Sequence, residues 1–130
     1  MIEIVLKMFE IIENVYSSEI ESDNYFFLFI SKYRMSVHIT RTPNSSKALV
    51  AVFTDKDDKT KTIRFGTDIN YVLNHNKTKK DRENYIKRHS VRENFNSPMT
   101  PGSLSKHILW GNYRSLTKNI DAFKKKFKFD

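Results

Sequence analysis

The chain has 130 residues, 38% of them hydrophobic and 29% charged, with ten Phe and six Tyr but only three Gly and three Pro. That length makes one domain with one modest, aromatic-rich core, and so little Gly and Pro argues against low-complexity disorder. There is no cysteine, which excludes disulfide frameworks and thiolate metal sites, and the net charge of +8 points to anionic partners.

The charge is unevenly placed. Residues 1–34 hold six acids and three bases, a net −3, whereas residues 35–130 hold twenty bases and nine acids, a net +11. A domain with that balance attracts polyanions over a Debye length of about 8 Å at physiological salt. Nucleic acid is the commonest such partner, with acidic protein surfaces and anionic membranes as competitors and a Lys-rich soluble surface as the plain alternative. The longest apolar run, Tyr25 to Ile30, is six residues, against the roughly 20 that a membrane-crossing helix needs. Glu3, Lys7 and Glu10 interrupt the place where a signal peptide would need its apolar stretch. A reducing, intracellular setting is the default for such a cysteine-free chain.

Ile2, Val5, Phe9, Ile12 and Tyr16 recur at steps of three and four with Glu3, Lys7, Glu10 and Glu13 between them. This spacing predicts an amphipathic helix with a narrow apolar seam, suited to docking on a partner or on a copy of itself. Ser17 to Asn24 reads as a turn-rich break and Tyr25 to Ile30 as an aromatic strand. Ser36 to Arg41 alternates apolar and polar as a half-buried strand does, Thr42 to Ser46 is a turn, and Ala48 to Phe53 is a second strand. Asp55 to Lys61 is the charged reversal of a hairpin, and Thr62 to Phe65, closed by Gly66, is the third strand of an antiparallel meander.

The rest of the chain reads as three helices. Thr78-Lys79-Lys80-Asp81 has capping-box spacing and predicts a helix from Lys79 to His89. Ser103 is the expected cap of a short helix through Leu104, Ile108 and Leu109 to Trp110, with Gly111 as its stop. Ser115 is the expected cap of a final helix whose Leu116, Ile120, Phe123 and Phe127 form one stripe, and Lys124, Lys125, Lys126 and Lys128 crowd its C-terminal end, where the dipole favours cations. The predicted class is α+β: a small antiparallel sheet of three or four strands packed on three C-terminal helices, with the N-terminal helix added. Residues 1–34 read as an acidic docking segment and 35–130 as the basic domain, with Met35 as a second candidate start.

Catalytic constellations are missing from the sequence. His38, His75, His89 and His107 have no ligand spacing among them and no cysteine beside them, so no metal site is expected. Asp55, Asp57 and Asp58 begin like a calcium loop but lack its Gly and closing Glu, which leaves a hairpin turn. No Gly-bracketed nucleophile and no Gly-rich phosphate loop occurs, because the glycines are scattered at 66, 102 and 111. His89, Arg92 and Glu93 read as an ion-paired helix exit. Acids suited to a two-metal nuclease would be clustered; Asp68, Asp81, Glu83 and Glu93 are dispersed. No cofactor is expected.

What the sequence does offer is a basic set around one helix. Lys79, Lys80, Arg82, Lys87, Arg88 and Arg92 suit phosphate contacts. Tyr85 and Phe95 have the chemistry to stack on bases, although core packing is the commoner fate of such rings, and of Trp110.

Thr62-Ile63-Arg64-Phe65-Gly66, Tyr85-Ile86-Lys87-Arg88-His89, Arg92-Glu93-Asn94-Phe95, Pro98 to Ser105, Ile108 to Gly111, Ser115-Leu116 and Ile120 to Phe127 occur in that order. The series resembles a family of small uncharacterised proteins of nucleocytoplasmic large DNA viruses, the giant viruses of algae and protists, over about Val37 to Phe127. Thr67-Asp68-Ile69-Asn70 departs from the Gly-Ser-Asp-bearing segment usual there, and Phe95 stands where Trp is commoner. The resemblance implies a viral setting, in the virion or in the viral factory of the host cytoplasm, and no established reaction. The expectation is therefore a non-enzymatic virion protein that binds nucleic acid, DNA ahead of RNA, through its basic face. The alternative is a minor capsid or scaffold protein docked on acidic capsid surface, self-associating through its N-terminal helix.

Overall fold

The computed structural model describes residues 35–42, 44–73 and 76–130. The N-terminal seam at Ile2, Val5, Phe9, Ile12 and Tyr16 and the aromatic run Tyr25 to Ile30 lie outside the described residues.

Three strands form one antiparallel sheet in sequence order: β1 (Ser36–Arg41), β2 (Leu49–Thr54) and β3 (Thr60–Phe65). Register sets Val37 opposite Phe53, Ile39 opposite Ala51, and Leu49 opposite Phe65. Because side chains alternate along a strand, this collects Val37, Leu49, Ala51, Phe53, Ile63 and Phe65 on one face, where all six are buried. His38, Thr40, Thr62 and Arg64 occupy the other face and are exposed. The β2–β3 reversal is an Asx turn in which the Asp55 carboxylate accepts from the backbone N–H of Asp57 (2.8 Å) and Lys59 (3.0 Å), with Asp58 left-handed at φ 60°. Strands two and three run one or two residues differently from the expected bounds, since cross-strand pairing carries Thr54 and Thr60 into the ladder.

The inner face is covered by helices. α1 (Lys79–His89) is closed by the expected capping box: the Asp81 N–H donates to Thr78 Oγ1 (3.1 Å), and the Thr78 N–H donates to the Asp81 carboxylate (2.8 Å). The Thr78 hydroxyl also donates to that carboxylate (3.0 Å), and the donations from the Thr78 backbone and hydroxyl hold the Asp81 carboxyl below its ordinary range. α2 (Pro101–Leu104) continues as a π-helical turn (Ser105–Leu109) that ends with Trp110 N–H donating to the Ser105 carbonyl at 3.0 Å. Its cap is Thr100, not the expected Ser103. Thr100 Oγ1 accepts from the Ser103 N–H (3.2 Å), and Pro101 fits the first helical position, where no backbone donor is needed. α3 (Leu116–Phe127) begins at Ser115 as expected and ends on left-handed Lys128.

Leu104, Ile108, Leu109 and Phe123 are fully buried with the sheet face. Each such aliphatic or aromatic side chain contributes about 1.5–3 kcal/mol by leaving water. After α3 the chain returns to the sheet: the Asp130 N–H donates to Met35 O and the Val37 N–H to Asp130 O, flanking Ser36 on the outer edge of β1. Phe129, stacked on Phe123 (5.7 Å between centroids), anchors that return. The wide π turn buries Ser105, Ile108 and Leu109, between buried Leu104 and Trp110, and leaves Lys106 and His107 half exposed on one side of the molecule.

Candidate nucleic-acid interface

Five of the six expected phosphate-binding residues face solvent. Lys79, Lys80, Lys87 and Arg88 are exposed along α1, and Arg92 is exposed just beyond it. At about 100° per residue Lys79, Lys80 and Lys87 lie on the arc opposite Tyr85, on a helix of about 16 Å, while Arg88, three residues after Tyr85, lies at the edge of that arc nearest Tyr85. Glu83 lies within that arc, three residues after Lys80 and four before Lys87, close enough to dilute the positive field locally.

Arg82 is placed differently. It leaves the flank of α1 and ties it to the loop after the π turn. Its Nε–H is shared between the Trp110 and Gly111 carbonyls (2.9 Å each), and Nη2 donates to Asn112 Oδ1 (2.6 Å). Arg114 makes a similar tie, donating to the Tyr71 carbonyl (3.1 Å) and to the Lys77 carbonyl, with its guanidinium 4.1 Å above the Tyr71 ring. Two of the chain's cations therefore hold its loops together.

The aromatic rings are packed inward. Tyr85 is sandwiched between His89 (4.0 Å) and Trp110 (4.1 Å, ring planes 3° apart). Burial, with the Glu93 carboxylate nearby, pushes the Tyr85 hydroxyl up from its ordinary value. Phe95 is half-buried with the Lys106 ammonium 5.7 Å over its ring. Among the described residues no ion pair joins the helix exit; the Glu93 carboxyl lies against Gly102, and His89 Nδ1–H donates to the Tyr85 carbonyl (2.9 Å).

Sequence reasoning missed two buried asparagines. Asn70 accepts from the Val72 (3.0 Å) and Leu73 (2.6 Å) N–H groups and donates to the Thr67 carbonyl (2.8 Å). Asn119 donates to the Ile108 (2.9 Å) and Tyr113 (2.7 Å) carbonyls and accepts from the Tyr113 N–H (3.1 Å). For Asn119 the signal was present: it lies one position from Ile120 on the apolar stripe of α3, where a polar side chain has to find buried partners.

His107 is also committed to structure. Its Nε2 must be protonated, since it bonds the Phe95 carbonyl (2.8 Å), and its ring packs edge-on to Phe127 (5.2 Å). Burial holds the imidazole below its ordinary value. Lys106 and Lys126 add repulsion, while the Phe95 carbonyl pulls the other way. The unfolded chain takes up this proton near pH 6.5, and the folded chain only at lower pH. Its contribution to stability is therefore full above about pH 6.5 and declines as pH falls through the folded value. Urea midpoints should drop between about pH 7.5 and pH 5, and His107→Gln should flatten that drop; parallel wild-type and variant curves would contradict it.

Among the described residues, no group of three or more His, Asp or Glu could hold a metal ion, and no helix is long and apolar enough to cross a membrane. Comparison of the chain with protein-family models, curated proteins and solved structures finds no match.

Proposed function

We propose that this chain is a non-enzymatic basic protein of a giant-virus virion that binds nucleic acid, DNA in preference to RNA, through the solvent face of α1. The observation that carries this reading is the co-exposure of Lys79, Lys80, Lys87, Arg88 and Arg92 along one helix and its exit, with Glu83 as the interrupting acid. Ammonium and guanidinium groups on an exposed helix face suit phosphate contacts that position a duplex without reading its sequence. The sequence resemblance supplies the viral setting. With Tyr85 and Trp110 closed into a stack, base stacking by these rings has no part in the proposal.

A minor capsid or scaffold role is the second reading. Val91, 83% exposed between Arg88 and Arg92, favours it, because an apolar side chain among bases suits an acidic protein surface better than a phosphate backbone.

The test uses two charge-reversal variants with the same change in net charge. One carries Lys80→Glu, Lys87→Glu, Arg88→Glu and Arg92→Glu. The other carries Arg41→Glu, Lys47→Glu, Lys59→Glu and Lys61→Glu, at the sheet end of the molecule. The first should lose duplex affinity by on the order of 100-fold and the second far less. Equal losses would mean that only net charge matters, and the assignment to α1 would fail.

A further inference from the structure

A second basic feature lies beside α1 and is concave. Arg82, the π turn and the last turns of α3 enclose a cleft of about 130 Å³, lined by Arg82, Lys106 and Lys126 together with His107, Asn112 and Asn119. No carboxylate is among its lining residues. The three cations come from elements far apart in the chain and are held differently. Arg82 is fixed by its bonds from Nε and Nη2 to Trp110, Gly111 and Asn112, which leave Nη1 uncommitted among the described residues. Lys106 is held over Phe95, and Lys126 sits in the exposed last turn of α3. Their proximity is felt: burial lowers the Lys106 ammonium from its ordinary value, and Lys126 and Arg82 lower it further.

Three like charges facing one small concavity are mutually unfavourable until an anion enters. The size limits that anion. Pockets that enclose a drug-sized ligand run to roughly 300–1,000 Å³, so this cleft takes one anionic group and leaves the rest of its carrier outside. A phosphate monoester carries a charge of about −1.5 to −2 at neutral pH and three acceptor oxygens, against one charge on a diester. We propose that this cleft binds a phosphate monoester, with Arg82 Nη1 as the directed donor and Lys106 and Lys126 as the neutralising charges. The carrier is a nucleotide, either free or at the 5′ end of a strand. The inference takes its nucleotide carrier from the nucleic-acid reading, but it uses none of the exposed α1 residues that carry that reading, since Arg82 is turned to the loop after the π turn.

The full chain should be titrated with adenosine 5′-monophosphate, with adenosine, and with one short oligonucleotide in 5′-phosphorylated and 5′-hydroxyl forms. The monophosphate is expected to bind and adenosine not. Tighter binding of the phosphorylated oligonucleotide than of its hydroxyl form identifies strand ends as the carrier; monophosphate binding with equal oligonucleotide affinities identifies the free nucleotide. Lys126→Ala, and Lys106→Met, which keeps an aliphatic stem against Phe95, should each weaken monophosphate binding about tenfold, the loss of one charge-assisted contact. Lys47→Ala, at the sheet end, should leave it unchanged. Equal response to monophosphate and adenosine, or unchanged affinity in both cleft variants while their circular dichroism is native, would overturn the site. Loss of the α1 interface would instead appear as failure to bind duplex DNA with monophosphate binding intact.

Discussion

Replacing Asn119 with alanine is expected to destabilise the folded chain by about 3 kcal/mol, the cost of leaving buried polar groups without partners. The side chain is 1% exposed and serves three backbone groups, the carbonyls of Ile108 and Tyr113 and the Tyr113 N–H. Alanine removes every one of those bonds at once. The loop from Trp110 to Ser115 wraps around this amide, so the three groups lose their common partner together. For a domain of this size the loss corresponds to a fall in melting temperature of about 15 °C. Asn119→Asp should be no better, since it keeps the acceptor, loses both donations and buries a charge. Urea unfolding at pH 7 measures the effect. A shift below about 1 kcal/mol would show that the loop holds without the asparagine.

Gly111→Ala is the second large effect, and its cause is steric. Gly111 is buried in the same loop, and a Cβ there would overlap the His107 carbonyl oxygen and come within 2.6 Å of Asn119 Cγ. The carbonyl belongs to the π turn and cannot rotate away, so backbone has to move. Overpacking of this kind costs up to about 3 kcal/mol. The displaced segment includes the Trp110 and Gly111 carbonyls that hold Arg82, so the tie from α1 is lost too. Combining Gly111→Ala with Asn119→Ala should be less than additive, because removing the amide relieves part of the overlap. Thermal unfolding of the two single variants and the double variant checks this; strict additivity would contradict the shared cause.

How much of this was legible in the sequence depends on how local each signal is. β1 and α1 occupy the residues that period-2 alternation and the Thr78–Asp81 capping box indicate, since both signals lie within the element itself. The start of α2 was misassigned because Thr100-Pro101 and Gly102-Ser103 each make a plausible helix entrance. The choice falls to Thr100, with Ser103 Oγ donating instead to the Phe95 carbonyl (3.2 Å), a contact outside the helix. The π turn has no signature in residue type. For the basic face, solvent exposure of Lys79, Lys80, Lys87, Arg88 and Arg92 could be read from α1 alone. Arg82 looked the same in sequence, yet its partners lie 28 to 30 residues away. The cleft is likewise a product of tertiary structure, since residues 82, 106 and 126 share no local pattern.

The central claim is that the exposed face of α1 contacts phosphates. The most direct measurement is the affinity of the full chain for a short fluorescent DNA duplex, by anisotropy, across a salt series. With three to five of Lys79, Lys80, Lys87, Arg88 and Arg92 each neutralising a phosphate, log affinity should fall against log salt with a slope of about −3 to −4.5. No binding at low salt, or an affinity indifferent to salt, would contradict the claim.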